Sequence, residues 1–167
     1  MDFYISHFPA ILENFSPFGN NYNGIAIRHE KSNPKMIFMK YELSSDLNLM
    51  CLKSLKGPLT AEQTFDLLED SLSTLKKKKF YGLSKLENNK LTYLACVKIE
   101  DDDNINAPGL QEVHLPKGNY VRERIADWKK NLGQIPFIID KISADNLVDP
   151  ERYIIEFYRS EKELFLL

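Results

Sequence analysis

Near the end of the chain, Glu156 and Tyr158 stand two residues apart in a run of strand-forming residues, Tyr153 to Ser160. On a pleated strand alternate residues share a face, so these two point one way and Ile155 and Phe157 the other. A carboxylate beside a phenol supports two kinds of chemistry. It can hold an apolar cation by charge pairing and cation–π contact. Alternatively, Glu156 can act as a general base, with Tyr120 or Tyr158 as the acid. The pattern predicts that Glu156 and Tyr158 look into a cleft, with Ile155 and Phe157 behind them on a helix-covered face.

Other chemistries find little support. No GxSxG or HExxH motif occurs, and the three histidines, His7, His29 and His114, are scattered. His114 reads as a surface or strand-edge residue. The acidic run from Glu100 to Asn104 invites a calcium-loop reading with Asp101, Asp103 and Glu112 as ligands. The fifth and sixth positions of that loop would be Ile105 and Asn106, where an oxygen ligand and a glycine are required. An acidic connecting loop is the expectation, with no metal and no cofactor. Lys76–Lys79 reads as a solvated helix end, where cations complement the helix dipole. With a net charge of -2 and no helix-turn-helix segment, nucleic acid is not an expected partner.

Composition is that of a soluble globular chain, 43% hydrophobic and 28% charged over 167 residues. Cys51 and Cys96 are too few for a disulfide scaffold and are expected as buried free thiols in a reducing cytoplasm. No run reaches the length of a membrane span, and the N-terminal residues lack the basic region and cleavage site of a signal peptide. The expectation is a cytoplasmic protein with no membrane contact.

The elements that must position Glu156 can be read in order. Residues 1–35 form an N-terminal extension of uncertain structure; its Pro-, Gly- and Asn-rich centre carries Phe15, Phe18 and Tyr22 and reads as a surface loop or a lid. Met36–Leu43 and Leu47–Leu55 are strand candidates joined by Ser44–Asp46. Thr60 to Gln63 fits a capping box, and Phe65, Leu68, Leu72 and Leu75 make one apolar stripe, predicting a helix from Ala61 to Lys77. Phe80–Leu86 and Leu91–Glu100 read as a hairpin about Asn88-Asn89. Leu110–Leu115 and Tyr120–Lys129 follow as strands, placing Trp128 on the face of Tyr120 if the pleat is unbroken. Pro136 suits a first helical turn, and Ile135, Ile138, Ile139 and Ile142 form its apolar face. Tyr153–Ser160 returns as a strand. One domain spans 1–167, with approximate halves 36–100 and 110–160, each passing from strand to helix to strand.

The order of these segments resembles the GyrI-like family, also called the regulatory-factor effector-binding domain. The likeness is carried by the first-half helix, the strand Tyr93-Leu94-Ala95-Cys96-Val97-Lys98-Ile99, the turn His114-Leu115-Pro116-Lys117-Gly118-Asn119-Tyr120, and the closing Asp149-Pro150-Glu151-Arg152-Tyr153 with Ile155-Glu156-Phe157-Tyr158. It covers about residues 36 to 160. The resemblance implies an α+β fold of two pseudo-symmetric β-α-β-β halves, an antiparallel sheet with helices on its outer face and a central cleft. It implies a cleft that takes apolar or cationic small molecules between aromatic walls and a buried glutamate, in stand-alone proteins or as the sensory part of transcription regulators; a subset hydrolyses reactive electrophiles. By position, Glu156 matches the cleft glutamate and Tyr120 and Tyr158 the cleft aromatics. Trp128 and Tyr93, which core packing would also explain, complete the candidate set.

The leading expectation is thus a stand-alone small-molecule-binding protein. A second reading is an accessory protein that binds a protein partner or a second copy of itself through its apolar end, Glu163 to Leu167. The hydrolase reading is the weakest, since only Glu156 and the tyrosines support it.

Overall fold

The computed structural model describes residues 38–88, 90–100, 108–144, 149 and 151–167. Expectations for residues 1–37 and for the acidic loop at 101–107 lie outside these residues. The described strands are β1 (Met39–Leu43), β2 (Leu47–Lys53), β3 (Phe80–Glu87), β4 (Lys90–Lys98), β5 (Leu110–Leu115), β6 (Gly118–Ala126), β7 (Ile154–Ser160) and β8 (Glu163–Leu166). Two α-helices, α1 (Ala61–Asp70) and α2 (Gln134–Ala144), lie between β2 and β3 and between β6 and β7.

All pairings are antiparallel, in the order β1-β6-β8-β7-β3-β4-β2-β5. Read outward from the central β7·β3 pair, the order places β8 opposite β4, β6 opposite β2 and β1 opposite β5. The same ββαββ unit is therefore written twice about a pseudo-twofold axis, and each unit lends its first strand to the other half's edge. The α+β class, the two related halves and the antiparallel sheet match the expectation.

Two short connections make the sheet curl. β1 and β2 lie six strand spacings apart, as do β5 and β6, a distance of about 29 Å in a flat sheet. Yet only Ser44–Asp46 and Pro116–Lys117 join them, and links of that length reach at most about 14 Å. The two ends of the sheet must approach each other. Where they do, the Asp46 carboxylate accepts the Lys117 N–H at 2.7 Å.

Strand alternation then sorts side chains into two cores. The outer face carries Tyr93, Ala95, Val97, Ile125, Tyr158, Leu164 and Leu166, covered by Phe65 and Leu68 of α1 and by Ile135, Ile138, Ile139 and Ile142 of α2. The face inside the curl carries Leu49, Cys51, Tyr81, Leu83, Leu94, Cys96 and Ile155.

Several local expectations are corrected. α1 stops at Asp70 rather than Lys77. Ser71 turns its hydroxyl back onto the Leu68 carbonyl at 2.7 Å, and Thr74 Oγ1 accepts the Lys76 N–H, so hydroxyl side chains compete with the helix for its backbone groups. Leu72 and Leu75 still pack on the outer core, but from a turn. The lysines at 76–79 consequently do not cap a helix. Thr60 forms no capping box: its side chain makes no cap bond, because a 3₁₀ turn over Gly57–Thr60 runs directly into α1. Its hydroxyl instead meets Ser54 Oγ at 2.6 Å and the Lys56 N–H at 3.1 Å.

The cysteines are not free thiols. Cys51 on β2 and Cys96 on β4 face each other directly in the ladder and form a disulfide, with Cα atoms 4.0 Å apart. The apolar end is not a tail either. Residues 163–166 form β8, a central strand between β6 and β7 in which Leu164 and Leu166 are fully buried. Two expected features match closely. Glu87 pairs with Lys90 across a turn that has Asn88 in the left-handed region (φ 50°), and the isoleucine face of α2 is buried.

Candidate ligand-binding site

Glu156 sits in the middle of β7, opposite Gly82 of β3 on one side and Leu166 of β8 on the other. It is 5% exposed. Gly82 lacks a side chain, and the gap this leaves on the outer face lets the phenol of Tyr93 reach across from β4. A Cβ at Gly82 would stand 2.1 Å from the Tyr93 hydroxyl and 2.8 Å from Glu156 Oε2. Glycine is needed here for close approach, not for an unusual backbone angle.

Two phenols converge on one carboxylate oxygen. The Tyr93 hydroxyl donates to Glu156 Oε2 at 2.9 Å, the Tyr158 hydroxyl donates to the same oxygen, and the two hydroxyls lie 3.2 Å apart. No hydrogen bond to Oε1 and no Lys or Arg ion pair with Glu156 occurs among the described residues. Around this group stand aromatic rings. Phe65 of α1 meets Tyr158 edge-on at 5.4 Å and Tyr93 at 6.4 Å, and Trp128 meets Tyr158 at 5.1 Å. The Trp128 indole N–H donates to the Ser160 carbonyl at 2.9 Å, which holds the ring in place.

Electrostatics follow from this enclosure. Burial raises the Glu156 pKa above its ordinary value of 4.5, and the hydrogen bonds from Tyr158 and Tyr93 only partly oppose it. Burial, reinforced by the Glu156 charge, pushes both tyrosines well above 10.0. Both phenols therefore stay protonated as donors. The site is a carboxylate in an aromatic box, held by two neutral hydroxyls, with its charge uncompensated by any described cation.

The five candidate residues do not all meet. Glu156, Tyr158, Tyr93 and Trp128 come together, and Tyr120 does not. Its ring lies inside the curl, with the hydroxyl donating to the Pro116 carbonyl at 2.7 Å and Arg152 stacked over it at 5.5 Å. Trp128 departs from the face of Tyr120 because β6 ends at Ala126. Asp127 then adopts a left-handed conformation (φ 46°), and the chain turns into a 3₁₀ turn that sends the indole outward. The orientation of β7 also differs from expectation. Glu156 and Tyr158 do share a face, but it is the one covered by the helices, while Ile155 and Phe157 look into the curl. Gly82 and Phe65 were not among the candidates. A glycine inside an otherwise bulky strand was the available signal for Gly82.

Among the described residues, two cavities flank the sheet. One, of about 400 Å³, lies beside α2, lined by Ile139 and Ile142, by Val121 and Ile154 of the outer face, by the exposed Lys40, Asp149 and Arg152, and by Tyr120 and Leu167, which also line the second cavity. Ile154 shares the outer face with Glu156, about 7 Å along the strand. The other, of about 590 Å³, lies inside the curl and draws residues from seven of the eight strands. Glu156 lines neither. Among the described residues no cluster of three or more His, Cys, Asp or Glu side chains could hold a metal ion, and no helix is long and apolar enough to cross a membrane.

No protein-family model and no curated protein matches the chain. Solved structures do. An integron cassette protein from the mobile metagenome of Vibrio cholerae is 12% identical, with 77% of this chain and 92% of that one covered and a TM-score of 0.59. SAV2435 bound to tetraphenylphosphonium is 17% identical, with 78% and 93% covered and a TM-score of 0.55. The EcmrR C-terminal domain is 9% identical, with 78% and 97% covered and a TM-score of 0.51. The likeness is one of fold. The last two are GyrI-like folds, and at these identities what this chain shares with them is the architecture of a curled antiparallel sheet with helices on one face.

Proposed function

We propose that the protein binds small apolar cations, taken up on the outer face of the sheet beside α2 and drawn toward Glu156. The observation that carries this reading is the buried Glu156 carboxylate, with both hydroxyls on one oxygen and, among the described residues, no cation beside it. Leaving a charge in an apolar interior without a counter-ion is costly. A cationic ligand supplies the counter-ion, and each ring of the box adds cation–π attraction of about 0.5–2 kcal/mol. The cavity by Ile154 offers an apolar approach along the same face. The fold neighbour bound to tetraphenylphosphonium makes that ion a suitable first probe.

Trp128 is the sole tryptophan and packs on Tyr158, so its emission reports on the box directly. Titration with tetraphenylphosphonium should give a saturable change in Trp128 fluorescence. Glu156→Gln should weaken binding about tenfold or more, and His114→Gln, on the edge strand β5 and outside both the box and the cavity beside α2, should leave it unchanged. Absence of a saturable response, or equal affinity in Glu156→Gln, defeats the proposal and leaves Glu156 as a structural tie between β4 and β7.

A further inference from the structure

The cavity inside the curl has a different character. Its floor is a run of nearly parallel rings: Tyr81 stacks on Phe157 at 4.9 Å and 17°, and Phe157 on Phe165 at 6.3 Å and 22°. Over this floor the Arg122 guanidinium lies 4.7 Å from the Tyr41 ring and 4.9 Å from the Phe165 ring. Among the described residues four cationic side chains line the cavity, Lys79, Lys98, Arg122 and Arg159, and no aspartate or glutamate does. Two of the four are matched nearby, Lys98 by Glu100 at 3.0 Å and Arg159 by Glu163 at 2.9 Å. Arg122 and Lys79 have no ion pair among the described residues.

We propose that the inside of the curl is a second binding site, for a small planar aromatic carboxylate stacked on the Tyr81–Phe157–Phe165 rings with its charge on Arg122 and Lys79. Charge complementarity selects an anion, since among the described lining residues the charged side chains are all cationic and Arg122 and Lys79 have no described ion pair. The flat ring floor selects a planar aromatic body, because offset stacking gains contact that a branched aliphatic cannot make. Arg122 supplies the fork that a carboxylate fits bidentately, and the two flanking rings hold that fork half-buried and reduce its contact with water. The volume of about 590 Å³ is that of a small-molecule site. This site stands on the opposite face of the sheet from Glu156 and does not depend on the cation-binding proposal.

The test is calorimetric titration of the full chain with 2-naphthoate at low salt, with 2-naphthylmethanol as the neutral analogue. Naphthoate should bind at one site, and the alcohol about tenfold or more weaker. Arg122→Gln should lower naphthoate affinity about tenfold and Lys79→Gln about threefold, while Glu156→Gln leaves it unchanged. If circular dichroism shows Arg122→Gln unfolded, Arg122→Lys and the exposed Lys79→Gln decide instead, each with a measurable loss expected. No binding of naphthoate, equal binding of the alcohol, loss on Glu156→Gln, or affinity insensitive to both Arg122 and Lys79 overturns the proposal.

Discussion

Tyr93 occupies the space that any side chain at Gly82 would need: a Cβ there would lie 2.1 Å from its hydroxyl. One strand's missing side chain thus decides whether its neighbour's phenol can reach Glu156.

Gly82→Ala should therefore expel the Tyr93 hydroxyl from its bond to Glu156. Overpacking of a buried site costs about 1–3 kcal/mol, and loss of a hydrogen bond to a charged group adds to it. Urea denaturation of the variant should show the midpoint fall with an unchanged slope. A Tyr93→Phe background should reduce the penalty, because the clashing oxygen is gone.

Glu156 gives a signed pH dependence. Its folded pKa is raised by burial, so between the unfolded value near 4.5 and the folded value the native state holds a proton that the unfolded state has released. The stabilisation from this group is complete below the unfolded pKa and is lost as pH rises through the folded one. The stability difference between wild type and Glu156→Gln, followed by denaturant titration at stepped pH, should move against wild type as pH rises through that window. Affinity for a permanent cation should change in the opposite sense, weakening as acid protonates the carboxylate.

The disulfide makes a third prediction. Cys51 and Cys96 close a loop of 45 residues, for which chain entropy alone gives about 4 kcal/mol, with measured values commonly about 2–4. Reduction, or Cys51→Ser with Cys96→Ser, should lower the melting temperature. Mass spectrometry after alkylation should find no reactive thiol, even in the unfolded protein, until a reductant is added.

β8 makes the fourth. Leu164→Ala or Leu166→Ala should each cost about 2–5 kcal/mol, as for large core side chains removed without collapse of the cavity. Deleting 163–167 should unfold the second half, seen as loss of Trp128 burial in fluorescence. A folded, monomeric truncation product would contradict the central place of this strand.

Local signals carried much of the fold. The start of the stripe at Phe65 and Leu68, the isoleucines of α2 and the turn at Asn88 depend on residues a few positions apart and formed as expected, whereas Leu72 and Leu75 reach the core from beyond the end of α1. What escaped depends on partners far along the chain. Four residues from Glu163 to Leu166 are too few to show a period, and only pairing with β6 and β7 makes them a strand. The Cys51–Cys96 bond needs the β2·β4 register, which neither cysteine's surroundings disclose. For the site, the two-residue spacing of Glu156 and Tyr158 put them on one face, but which face the helices cover is a property of the sheet's curl. Trp128 joined them through a single left-handed residue, Asp127, and Tyr120 was lost because its strand points the ring inward.

The position of β8 also sets the order in which the chain can mature. β6 and β7 flank it and have no direct ladder with each other, so during synthesis they wait as unbridged edges until residue 166 has been made. Glu156 shares that delay, since one wall of its setting is Leu166. The first half can pair β2, β3 and β4 early, whereas the outer-face box is assembled last. A nascent chain stalled before residue 163 should therefore present the hairpin and the disulfide partners in register, yet have no competent carboxylate site.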